Sequence, residues 1–101
     1  MDIDKRVEEG SVTLAVTGSL NTATARDLER VVDSALAQAP DTSLTFDFSG
    51  LEYISSAGLR VLMGAYKNLS AHGGSLKVLN PSDSVREVFD ITGLVDILDI
   101  E

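Results

Sequence analysis

The sequence predicts a small α/β domain: a mixed, mostly parallel sheet with an opening hairpin and helices mainly on one face. Three observations carry this expectation. Segments with a two-residue apolar period alternate with longer segments of helical period, the pattern of strand–helix–strand units. Two strand-like segments stand ahead of the first helix with only Glu9-Gly10 between them, which reads as an antiparallel hairpin. The strands alternate apolar with polar residues, whereas strands covered on both faces are apolar throughout, so one face of the sheet should stay open to solvent.

Residues Ile3 to Glu8 form the first, weak strand candidate. Val12, Leu14 and Val16 then alternate with Thr13, Ala15 and Thr17, and Gly18 is expected to end that strand. A helix follows, with Asn21 or Thr22 as N-cap. Its apolar stripe is Leu28, Val31, Val32, Ala35, Leu36 and Ala39, and Pro40 stops it. Leu44, Phe46 and Phe48 mark the clearest strand. Ser49-Gly50 is expected to turn the chain, leaving Leu51 to Ile54 as a short connection. The second helix is predicted from about Ser56 to Ala71, with Leu59, Leu62, Met63, Tyr66 and Leu69 inward, ending at Gly73-Gly74. Leu76 and Val78 form another strand. Asn80-Pro81 should open a third helix, Asn as cap and Pro in the first turn, with Val85, Val88 and Phe89 buried and Gly93 closing it. Leu94 to Ile100 reads as a short strand or extended tail. The order is β-β-α-β-α-β-α-β, one domain over residues 1–101.

Composition narrows the function. Sixteen acidic residues against eight basic ones give a net charge of −8. Nucleic acid and anionic membrane surfaces are held by clustered Lys and Arg. The cations here are scattered, so a basic protein partner is the better complement. No cysteine is present, which excludes disulfides, thiolate catalysis and Cys-based zinc sites. Met1 to Gly10 is polar and charged, unlike a signal peptide, and no apolar run has the roughly 20 residues of a membrane span. The cytoplasm is the expected location.

An enzyme finds little support. The lone His72, before Gly73-Gly74, reads as a solvated residue at a helix end. No HExxH, GxSxG, Walker A or GxGxxG pattern occurs, and no metal or cofactor is expected. The informative segment runs from Asp47 to Leu62: a buried strand, a loop, then Ser55-Ser56 at a helix start. Ser55 suits an N-cap. A phosphate on a serine there would meet the positive end of the helix and add roughly two negative charges to the surface.

Ser55-Ser56-Ala57-Gly58-Leu59, preceded by Asp47-Phe48-Ser49-Gly50-Leu51-Glu52-Tyr53-Ile54, resembles the signature of bacterial anti-sigma factor antagonists, the STAS domain family. The likeness extends to Gly18-Ser19-Leu20-Asn21-Thr22 and to Val88-Phe89-Asp90-Ile91-Thr92-Gly93-Leu94, and so covers nearly the whole chain. The resemblance implies a STAS-like fold and a non-enzymatic partner switch. The unmodified form would bind an anti-sigma factor that is also a serine kinase of the GHKL type. Phosphorylation of the serine two places before the motif glycine would release it, and a PP2C-type phosphatase would reverse the change. Counting back from Gly58, that serine is Ser56. The implied partner surface comprises Asn21, Thr22, Tyr53, Ser55, Ser56, Ala57, Gly58 and Arg60, with Arg60 either pairing with the phosphate or a partner acid, or standing solvated. Ser55 and Asn21 stand where some members carry Asp, which implies altered partner recognition with the switch retained. The alternative role is a non-phosphorylated STAS subunit of a lipid-transport ATPase complex. Many members carry another helix after the last strand, and its absence here is expected to expose Val95, Ile97 and Leu98 and promote self-association.

Overall fold

The computed structural model describes residues 1–101. Its elements are β1 (Asp2–Glu8), β2 (Ser11–Leu20), α1 (Thr22–Gln38), β3 (Ser43–Ile54), α2 (Ser56–Ala71), β4 (Ser75–Leu79), α3 (Asp83–Thr92), a 3-10 turn (Leu94–Asp96) and β5 (Asp99–Ile100). The five strands form one sheet in the order β1-β2-β3-β4-β5. β1 pairs antiparallel with β2, and every later pair is parallel. Each helix therefore joins two neighbouring parallel strands, and each crossover steps the same way across the sheet. Crossovers of this kind are right-handed almost without exception. Three that advance in one direction must place their helices on one face, as the alternating strands predict.

That face holds the core. Val12, Leu14 and Val16 of β2, Leu44, Phe46 and Phe48 of β3, and Leu76 and Val78 of β4 are buried. Against them pack Ala25, Leu28, Val32, Ala35 and Leu36 of α1, Val61, Leu62, Ala65 and Leu69 of α2, and Val85 and Phe89 of α3. The Phe46 and Phe48 rings lie 5.6 Å apart in a tilted contact. In between, Thr13, Ala15, Thr45, Asp47 and Lys77 are only half-buried on the uncovered side.

Five local expectations are corrected. Gly18 does not end β2, and Ser49-Gly50 does not turn the chain; both strands run on in parallel to Leu20 and Ile54. β3 carries one extra residue opposite Ala15–Thr17 and another opposite Gly18–Ser19. Each bulge shifts the strand's inward phase by one residue. The buried positions accordingly pass from Phe48 to Leu51 to Ile54, every third residue, which resembles a loop when read as a strict alternation. In α2 the inward stripe is turned toward Val61 and Ala65, leaving Leu59, Met63 and Tyr66 half-buried. Asn80 is not the cap of α3: it adopts φ +58°, and Ser82 accepts the Val85 N–H at 3.3 Å instead. Of the apolar residues near the chain's end, Val95 and Ile97 are exposed, but Leu98 is buried in the core.

Candidate functional site

The parallel pairing brings the predicted site together. Leu20 and Ile54 are register partners at the carboxyl ends of β2 and β3. In open α/β sheets this edge is where loops carry binding residues. The next residues begin two helices, α1 after Asn21 and α2 after Ser55. The Ser55 N–H donates to the Leu20 carbonyl at 2.9 Å, which ties the two helix starts to each other.

Each start is capped by a side chain. Asn21 is the N-cap of α1: the Thr24 N–H donates to Asn21 Oδ1 at 2.9 Å, and the Asn21 N–H donates to Thr24 Oγ1 at 2.8 Å. This is a reciprocal capping box with Thr in the place usually taken by Glu or Gln. The Thr24 hydroxyl also donates to the Ser19 carbonyl at 2.8 Å, fixing the loop ahead of the helix. Ser55 caps α2, its Oγ accepting the Gly58 N–H at 3.2 Å. Ser56 is then the first residue of the helix and is exposed, as are Asn21, Thr22, Tyr53 and Arg60. Ala57 and Ser55 are half-buried.

Gly58 is not on the surface. It lies beneath the site, where a Cβ would come within 2.8 Å of Leu20 and 2.9 Å of Ile54. Only a glycine lets α2 begin so close to both strand ends. Its contribution to the site is the seating of the helix that presents Ser56.

The sequence reading did not anticipate a cleft of about 230 Å³ between α1 and α2. Thr22, Ala25, Arg26 and Glu29 line it from α1, and Ala57, Arg60 and Val61 from α2. Thr22, Arg26 and Glu29 recur at helical spacing on one side of α1, a signal present in the sequence. What it lacked was the partner helix that turns this stripe into a wall.

This arrangement defines a single-domain α/β module whose polar edge suits protein recognition, with an exposed serine at the start of a capped helix. The STAS domain model matches residues 2–101, and the chain belongs to that family. The anti-sigma-B factor antagonist of Bacillus subtilis (strain 168) is 32% identical over 99% of this chain and 90% of its own length. The unphosphorylated form of the anti-sigma factor antagonist SpoIIAA superposes with a TM-score of 0.86 at 25% identity, covering 99% of this chain and 88% of that one. The phosphorylated form of SpoIIAA, a Bacillus cell fate determinant, shares the fold with a TM-score of 0.78 at 24% identity, over 99% of this chain and 91% of that one. No helix of this chain is long and apolar enough to cross a membrane.

Proposed function

We propose that this protein is an anti-sigma factor antagonist whose partner binding is switched by phosphorylation of Ser56. The observation that carries the reading is the division of labour in Ser55-Ser56. Ser55 spends its oxygen on the helix cap, while Ser56 stands exposed one position later. A kinase can therefore modify Ser56 without removing the cap. The family membership and the antagonist relatives support the same reading.

The unmodified protein binds an anti-sigma factor, itself a GHKL-type serine kinase, through Asn21, Thr22, Tyr53, Ser55, Ser56, Ala57 and Arg60, with Gly58 seating the helix below. The kinase step transfers the γ-phosphoryl group of ATP. Ser56 Oγ bonds to phosphorus, the bond to the β–γ bridging oxygen breaks, ADP leaves, and the hydroxyl proton passes to a base on the kinase. Ser56 then carries between one and a half and two negative charges at neutral pH. That charge lies at the centre of the interface, and binding weakens. A PP2C-type phosphatase delivers water to the phosphorus; the bond from Ser56 Oγ to phosphorus breaks, inorganic phosphate leaves, and a proton passes to Oγ to restore the hydroxyl. The protein itself is a regulatory non-enzyme in this cycle.

Incubation with the kinase and ATP, followed by phosphosite mapping, tests the assignment. The expected result is one phosphate on Ser56, none in Ser56→Ala, and retained modification in Ser55→Ala. A phosphate on Ser55 in the wild-type chain overturns it.

A further inference from the structure

We infer that Arg26 and Arg60 form a clamp that draws the phosphate of phosphorylated Ser56 into the mouth of the α1–α2 cleft. The inference rests on the reading of Ser56 as the phosphate acceptor and adds what the chain itself does with that phosphate. Arg60 follows Ser56 by four residues on α2, a spacing that brings side chains to within about 5–6 Å at Cβ and favours an anion N-terminal to a cation. Arg26 faces the same space from α1, since both guanidinium-bearing residues line one cleft with Thr22 and Ala57 at its upper end. The chain's ion pairs are Asp27–Arg30 and Lys77–Glu101, so neither Arg26 nor Arg60 is engaged by a carboxylate. Glu29, one turn further along α1, is the acid in the cleft lining. Two arginines against one glutamate leave this cleft positive in a chain whose net charge is −8.

Arginine matches phosphate with two parallel N–H donors, and a pair on opposite walls can hold it from both sides. The phosphorylated state then differs from the unmodified one in two ways. It carries added charge, and its cleft is occupied by its own phosphate.

Phosphoserine placed at position 56 during translation provides the test, because it needs no kinase. The second pKa of that phosphate, near 6 for a free phosphoserine, is read by phosphorus NMR titration in wild type, Arg26→Gln/Arg60→Gln and Arg30→Gln. Close cations hold an acid ionised and lower its pKa by up to 1–3 when the contact is tight. The clamp predicts a wild-type value at least about 0.5 below that of the double variant, with Arg30→Gln matching wild type. Equal values in wild type and double variant overturn the clamp, and so does an equal rise in Arg30→Gln, which would mark net charge alone. Failure of a kinase to modify Ser56 would instead overturn the switch and leave this measurement intact.

Discussion

Ser55 and Ser56 are chemically identical and adjacent, yet their positions give them different work. The residue before a helix can aim its side chain back at unpaired N–H groups, while the first residue inside the helix projects away by about 100°. Ser55→Ala should therefore cost about 1 kcal/mol, a fall in Tm of roughly 4–8 °C for a domain of this size. Ser56→Ala should leave Tm within a degree or two, since surface changes away from caps and cores cost little. Differential scanning fluorimetry separates the two. Gly58→Ala should be worse than either: a methyl group 2.8 Å from the Leu20 side chain forces the start of α2 off its seat, at about 1–3 kcal/mol. At this scale much was legible. Ser55 as a cap follows from residue type and place alone. Whether Asn21 or Thr22 capped α1 did not, because it depends on Thr24 reaching back to the Asn21 N–H and on to the Ser19 carbonyl.

The elements show where local reading stops. Four strands and three helices were legible in order, because periodicity and helix-ending residues are properties of short stretches; Leu94 to Ile100 read only as a strand or tail, and it holds a 3-10 turn at Leu94–Asp96 before the two-residue β5. The second half of β3 was not. Ser49-Gly50 has the composition of a turn, but β2 continues beside it and supplies the pairing that keeps it extended. Gly50 is required there by the neighbouring strand, since its Cβ would come within 2.5 Å of the Thr17 methyl group. Gly50→Ala is accordingly expected to lower stability by about 1 kcal/mol, and Thr17→Ala on the same chain should return much of it. A double-mutant cycle by urea denaturation measures the coupling. Additive effects would mean that the two strands do not meet as closely as described. The cap of α3 has a similar lesson. Asn80-Pro81 looks like a helix start, yet the chain first completes its turn off β4, where the Asn80 N–H donates to the Glu101 carbonyl at 3.1 Å, and begins the helix from Ser82.

At the scale of the whole molecule, one sheet and one layer of helices share a single core of 24 buried apolar residues. Phe46 sits at its centre on the middle strand, fully buried. Phe46→Ala should cost about 3–5 kcal/mol, a large part of the 5–15 kcal/mol typical of such a domain. Far-UV circular dichroism and core fluorescence-independent probes such as amide exchange should lose structure together. The sheet's uncovered face and the single helical layer were legible from strand alternation, because burial on one side leaves a mark on every second residue. The α1–α2 cleft was not, since it exists only after two helices separated by β3 are laid side by side. The charge balance also acts at this scale: a chain of net charge −8 repels itself, and a partner able to lose it on phosphorylation should present positive charge. The affinity of the proposed anti-sigma factor partner for this protein, compared between the unmodified chain and the chain carrying phosphoserine at 56, tests the proposed switch most directly. The account predicts a loss of at least about a hundredfold, near 2.8 kcal/mol; equal affinities would contradict it.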